Sequence, residues 1–282
     1  MVGIGRVSAL WRYPVKSMLG EAVGPIVVGD AGLDGDRCFG VVDSGTGMVA
    51  SAKRPHRWRR LLLLRSETAG PGVIRIHFPE GNSVLSTDHL VDKQLSDFLG
   101  REVELQSRAD VGAELERAVP NAVLADGPAA DVEVTILEIA AVSPPGTFFD
   151  YGPLHLVTSA SLGRVAAGHP AHHVDPARYR PNIVIETAAG VDGFVENNWL
   201  GQRLHLGPEV IVEIVLPTPR CAVPTLPQGD LPHDPEAVRV PMRDNFIPVP
   251  LEGFGSEPCV GAYATVVKGG RMCPGDQVLL AG

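Results

Sequence analysis

The chain has 282 residues and a formal net charge of -9, with 44% hydrophobic and 20% charged residues. That length holds a sizeable core in one large domain or two ordinary ones, and the composition excludes a disordered chain. The acidic balance argues against non-specific nucleic-acid binding, which needs a basic surface.

The N-terminus, Met1 to Arg6, has no charged-then-apolar leader pattern, and no apolar stretch is long enough to span a bilayer. Residues 4–10 read as a first strand, 25–28 as a second and 38–42 as a third. The turn-rich Asp30-Ala31-Gly32-Leu33-Asp34-Gly35-Asp36 joins the last two. In 73–78, Ile74, Ile76 and Phe78 share one apolar face, as alternation in a strand requires. A helix follows, with Thr87 as its expected N-cap, Val91, Leu95 and Phe98 on one face and Gly100 at its end. The segment 106–131 is rich in Ala, Asp, Glu and Pro with weak periodicity, and reads as a connection between domains.

A second pattern opens at 154–157, a short strand. Thr158 or Ser159 is placed to cap a helix over 160–167. Residues 182–185 read as a strand introduced by Arg178-Tyr179-Arg180-Pro181. The run Val210-Ile211-Val212-Glu213-Ile214-Val215-Leu216 has the β-branched content of a buried strand, and Pro217 and Pro219 are expected to end it and stiffen its exit. Strands over 263–267 and 278–280 close a β-rich chain with few helices, compatible with barrel-like halves.

Cys221 stands at that rigid exit with Arg220 beside it. A neighbouring positive charge favours thiolate, the form that binds metals or attacks electrophiles. A buried structural cysteine is the plain alternative. The four cysteines, Cys38, Cys221, Cys259 and Cys273, are scattered and form no C-x-x-C pair. This spacing writes neither a zinc knuckle nor an iron–sulfur centre, and it fits a reducing, cytoplasmic compartment. Cys259 and Cys273 read as packing residues. Basic and hydroxyl residues recur beside turn signals: Lys16 and Ser17, Arg37, Thr158 and Ser159, Arg178, Arg180 and Asn182. These are the donors a phosphate needs. His169, His172, His173 and Asp175 read as a solvated loop after a helix rather than a metal cluster. Phe194 and Trp199 read as core anchors.

The blocks Tyr13-Pro14-Val15-Lys16-Ser17 and Gly32-Leu33-Asp34-Gly35-Asp36-Arg37 resemble the N-terminal β-barrel domain that precedes molybdenum cofactor sulfurase C-terminal (MOSC) domains. Leu154 to Leu162, Arg180-Pro181-Asn182, Phe194 to Gly201, Pro219-Arg220-Cys221 and Gly261 to Asp276 resemble successive blocks of the MOSC domain, in order. The likeness is to the amidoxime-reducing component family and its bacterial counterparts. It implies a mainly β fold with some helix: an N-terminal β-barrel-like lobe at 1–105, a connecting segment at 106–131 and a MOSC β-barrel lobe at 132–282. It also implies a molybdenum cofactor, with Cys221 as the protein thiolate on the metal and Arg220 and Pro219 flanking it. Lys16, Ser17, Arg37, Thr158, Ser159, Arg180 and Asn182 would hold pterin and phosphate.

The implied activity is reduction of N-hydroxylated small molecules. No second redox motif is visible, so electrons would come from a separate ferredoxin, flavin or cytochrome-type protein. Sulfur carriage as a persulfide on Cys221, and plain delivery of the molybdenum cofactor, are the alternatives from other classes. The sequence departs from the reductase pattern at Pro224-Thr225, at Leu226 to Pro232 and at Met48 to Pro55. These loops are expected to shape the substrate mouth.

Overall fold

A computed structural model describes residues 1–281. Its largest element is a closed ring of seven strands. Leu154–Thr158, Ile183–Thr187, Val2–Arg12, Gln277–Leu280, Arg203–Leu206, Val210–Pro219 and Ser256–Lys268 pair in that order, and the last pairs back onto the first. Closure removes every free edge from the ring. Alternation fills its interior: Val210, Val212 and Ile214 point inward, and Val7, Leu10, Leu154, Leu156, Ile183, Ile185, Leu204, Leu206, Ala262, Ala264 and Val278 complete the core. Trp199 packs into this core and Phe194 packs against the adjoining cluster of Val157, Val165 and Tyr179, in line with their reading as core anchors.

The first strand of the chain belongs to this barrel of mostly C-terminal strands. It lies between Ile183–Thr187 and Gln277–Leu280, antiparallel to both, so the two lobes share a strand. The N-terminal lobe is a set of smaller sheets. Gly40–Asp43 pairs with Val103–Gln106, and Arg65–Gly70, Val73–His77 and Ser83–Leu85 form a meander. Ile74 and Ile76 face its core together with Phe39, Val41, Trp58, Leu61, Leu64 and Leu95. The helix Val91–Leu99 starts later than Thr87 would place it, with Asp88 accepting from the Leu90 amide, and it ends at left-handed Gly100 as read. The segment 106–131 carries structure of its own. The strand Glu114–Ala118 pairs with Val134–Glu138, and Pro120–Asp126 is helical.

One expectation about the key strand fails. Val210–Pro219 does not stop at Pro217 but runs through both prolines, paired with Ser256–Lys268. Its other neighbour, Arg203–Leu206, has already ended, so the missing proline N–H groups face no partner on that side. The register shifts between Pro217 and Pro219, and bulges tolerate proline. Gly261 marks the opposite kink. Its φ is +76°, and a Cβ there would stand 2.3 Å from the Leu156 carbonyl oxygen, so only glycine fits.

Candidate functional site

A cavity of about 270 Å³ opens between the lobes. Eight of the ten residues that the resemblance assigns to cofactor and metal line it, Lys16, Ser17, Arg37, Arg180, Asn182, Pro219, Arg220 and Cys221, and so does Arg178. Thr158 and Ser159 do not. Thr158 caps the helix Ser159–Gly168 by accepting from the Ser161 amide, and its own amide donates to buried Glu196. The Ser159 hydroxyl pairs with that of Thr187 and accepts from the Thr187 amide. A capping hydroxyl and a phosphate donor look the same in sequence.

Three of the five non-glycine residues with positive φ lie on this cavity: Ser17 at 65°, Arg37 at 44° and Arg180 at 54°. Such conformations cost about 1–3 kcal/mol each and persist where surrounding structure holds them for function. Each is locked. The Ser17 hydroxyl accepts from the Ala52 amide at 3.1 Å. Arg37 donates to the Asp36 carboxylate, to Asn182 Oδ1 at 3.0 Å and to the Arg180 carbonyl at 3.3 Å. Asn182 joins the lobes. Its Oδ1 also accepts from the His155 amide, and its Nδ2 donates to Asp36 and to the Trp11 carbonyl.

Seven basic and three acidic side chains line the cavity, against a chain total of -9. Five of the bases have carboxylate partners. Lys16 and Lys53 share Asp150, Arg37 has Asp36, Arg117 has Glu257 and Arg178 has Asp234. Arg180 and Arg220 have none among the described residues. Arg180 Nη1 is buried with no hydrogen-bond partner. Its guanidinium lies 4.4 Å from the Tyr13 ring centroid, and that of Arg37 lies 4.6 Å from the same ring. Burial, reinforced by Arg37, lowers the Arg180 pKa to about 10 against its ordinary 12.5. A buried donor nitrogen on a cation costs free energy when it is unpartnered, and an anion satisfies it.

Arg220 makes no hydrogen bond to its neighbour's thiol. Its donors go to the carbonyls of Val260 and Tyr179 and to His155 Nε2. Burial, then the charge of Arg220, holds His155 well below the ordinary histidine range, so the ring is neutral. Nε2 then accepts from Arg220 and Nδ1–H donates to the Arg180 carbonyl. The loop after Cys221 is fixed from below. Arg178 donates to the Pro224 and Pro232 carbonyls, and Gln228 to that of Val223. Cys221 itself is half-buried against Ala52, Leu62, Val223 and Leu226. Cys259 is fully buried, and burial pushes its thiol up to about 12, in keeping with a packing role.

Sequence reading missed Tyr13, His155 and the pairing of Lys16 and Lys53 with Asp150. Burial lowers the Lys16 pKa to about 8, the Asp150 charge opposing it. Burial opposes ionisation of Asp150, but the two ammoniums outweigh it and hold the carboxyl below the usual range. Only Asp150's place among apolar neighbours at Phe148 to Tyr151 hinted at a partnered acid. The expected mouth loop Leu226 to Pro232 does not line the cavity, because Leu226 and Gln228 turn into the interior. Ser51 and Lys53 from the other flagged loop do line it. His169 is bound to Asp234 at 2.9 Å, and Asp175 caps the turn Pro176–Tyr179.

Fold and site together define a two-lobed, barrel-based protein whose shared cavity is lined by a half-buried thiol and by a guanidinium with an unused donor. Comparison gives this class a family. The family described as the MOSC domain matches residues 145–279, and the MOSC N-terminal beta barrel domain matches residues 4–116. The chain belongs to the MOSC family and carries both domains. It is similar to the mitochondrial amidoxime reducing component 2 of Rattus norvegicus, with 26% identity over 291 residues, spanning 98% of this chain and 83% of that protein. The Bos taurus protein of the same name is 25% identical over the same shares. Among solved structures, the YuaD protein of Bacillus subtilis aligns over 98% of this chain and 95% of its own, with a TM-score of 0.45 and 11% identity. No helix among the described residues is long and apolar enough to cross a membrane.

Proposed function

We propose that this chain is a molybdenum-cofactor-dependent reductase of small N-hydroxylated compounds, supplied with electrons by a separate redox protein. The observation that carries the reading is Arg180, a partly buried side chain with one buried, unused guanidinium nitrogen and no carboxylate, in the same cavity as Cys221. The residues present fit such a group. A pterin phosphate supplies the anion that Arg180 lacks. Among the described residues no cluster of three or more His, Cys, Asp or Glu is arranged to hold a metal. A metal here would bring most of its ligands with it, as a dithiolene does, and take one soft thiolate from Cys221.

When bound, the cofactor supplies a two-electron redox change at a sulfur-ligated metal. The balance is R–NHOH plus two electrons and two protons giving R–NH2 and water. The chain's own part is binding, orientation and protons. Lys16, Ser17, Arg37 and Arg180 hold the anionic tail, and Asn182 keeps Arg37 and the Arg180 carbonyl in register across the lobes. Arg178 and Gln228 fix the loop that presents Cys221, with Pro219 and Arg220 on its approach. Lys16 Nζ, with a pKa of about 8, is a titratable donor on the cavity wall.

The test is metal and pterin quantification on purified protein, with turnover of an amidoxime by reduced viologen. Molybdenum near one per chain is expected, with turnover lost in Cys221→Ala while pterin and melting temperature are retained. A wild type that carries a persulfide and no molybdenum, or a fully active Cys221→Ala, overturns the reading.

A further inference from the structure

The cavity changes character along its length. Its buried part holds Arg220, His155 and the buried Arg180 nitrogen. Its exposed end is made by segments that no cofactor residue belongs to, around Tyr151 and over 251–254. Tyr151, Tyr263, Leu251 and Phe254 are partly buried there and pack as one layer over Leu216, Val249 and Cys259. This layer reaches inward. The Tyr151 and Tyr263 ring centroids are 5.8 Å apart, Tyr263 and His155 are 5.7 Å apart, and His155 is bonded to Arg220. The aromatic wall therefore runs from solvent to the charged interior.

The charge at this end is also distinct. Arg117 lies 5.1 Å from the Phe254 ring centroid but pairs with Glu257 at 3.3 Å, so its charge is met within the wall. The other charged side chains lining this end, Glu138 and Glu252, are exposed acids. The lining bases without a carboxylate, Arg180 and Arg220, thus stand at the anion-holding part of the cavity, and the lining acids without a base, Glu138 and Glu252, stand apart from them.

We propose that this wall recognises a flat, uncharged, apolar substrate body, with Tyr151 and Phe254 as the side chains that set specificity. The reaction it would serve rests on the reductase reading above; the binding does not. A planar ring buries a whole face against such a wall at little conformational cost, whereas a methyl group covers a fraction of it. The acid rim disfavours an anionic substituent.

Calorimetry on the oxidised, cofactor-loaded protein without reductant tests this, since nothing turns over. Benzamidoxime should bind about tenfold or more tightly than acetamidoxime, and more tightly than 4-carboxybenzamidoxime. Phe254→Ser and Tyr151→Ser should each remove most of the preference for the ring, with molybdenum content and melting temperature kept. Phe254→Leu, which stays apolar without the flat ring, should fall between. Equal binding of benzamidoxime and acetamidoxime, or an unchanged preference in folded Ser variants, overturns the proposal. Equal binding of the carboxylated compound overturns its charge clause. Selective binding of benzamidoxime with no reduction by reduced viologen keeps the wall and removes the reductase reading.

Discussion

Replacing Arg180 by glycine should push stability and cofactor retention in different directions. Arg180 sits at φ 54° and ψ 48°, a left-handed conformation that costs a non-glycine residue about 1–2 kcal/mol. Glycine relieves that strain and removes a desolvated cation that stacks, with Arg37, on the Tyr13 ring. Against this stand about 0.5–1 kcal/mol for the freer unfolded glycine chain and a similar amount for the lost stacking on Tyr13. The bonds that matter to the lobes survive, because Arg37 and His155 reach the backbone carbonyl of residue 180 and not its side chain. Cofactor-free Arg180→Gly should therefore melt level with the wild type or up to about 4 °C higher. Its grip on the anion should fall by the worth of a charge-assisted hydrogen bond, about 1.5–3 kcal/mol, or roughly ten- to 150-fold in affinity. Arg180→Ala loses the same charge but keeps the strain, so it should melt below the glycine variant at equal cofactor loss. Thermal melts of cofactor-free protein and pterin content of protein as isolated read both effects. A cofactor-free glycine variant that melts well below wild type, or unchanged pterin content in both variants, would refute the account of Arg180.

Two further outcomes follow from the same geometry. Lys16, with its pKa near 8, loses charge above that pH, so affinity for the cofactor should weaken as pH rises through about 8, and Lys16→Arg should flatten the profile. Between pH 8 and the ordinary 10.5 the folded protein binds fewer protons than the unfolded chain, so the burial penalty of Lys16 shrinks as pH rises through that window. A cofactor-binding profile flat from pH 7 to 9.5 in the wild type would count against this role. Asn182→Ala should destabilise by at least about 2 kcal/mol, since the Trp11 carbonyl and the His155 amide lose their buried partner together. Denaturant titration checks this, and a loss under about 0.5 kcal/mol would show that Asn182 does not join the lobes.

Much of the cavity was legible because its residues sit beside turn signals. Lys16 and Ser17 follow Pro14, Arg37 follows a Gly/Asp turn, and Cys221 follows two prolines, all at places where a chain leaves a strand. Such exits gather at sheet ends, where sites are built. Thr158 and Ser159 met the same criteria and failed, because a helix start consumes hydroxyls to cap itself. The partners of the visible residues were less legible. Asp150 is far from Lys16 and Lys53 in sequence, and His155 is far from Arg220; nothing local in the chain announces either meeting. The path of the first strand was hidden for the same reason. Its alternation gives a strand, while its neighbours are set by pairing across the whole chain length. Proline misled in the other direction, since its effect on Val210–Pro219 depends on which side of the strand still has a neighbour.

The sharing of Val2–Arg12 bears on how the molecule is made. During synthesis this strand emerges before either of its barrel neighbours, Ile183–Thr187 or Gln277–Leu280, exists. The N-terminal lobe must therefore take shape with one of its ends still waiting, its row of unpaired amides open to any passing edge. Closure comes only when distant segments meet, which makes for slow, non-local folding and a long interval of exposure to aggregation. A fragment cut between the lobes inherits the same difficulty permanently, because the larger barrel then lacks one stave. The two halves are thus bound to one fate in the cell: neither can be borrowed, swapped or expressed alone without leaving the other's wall open.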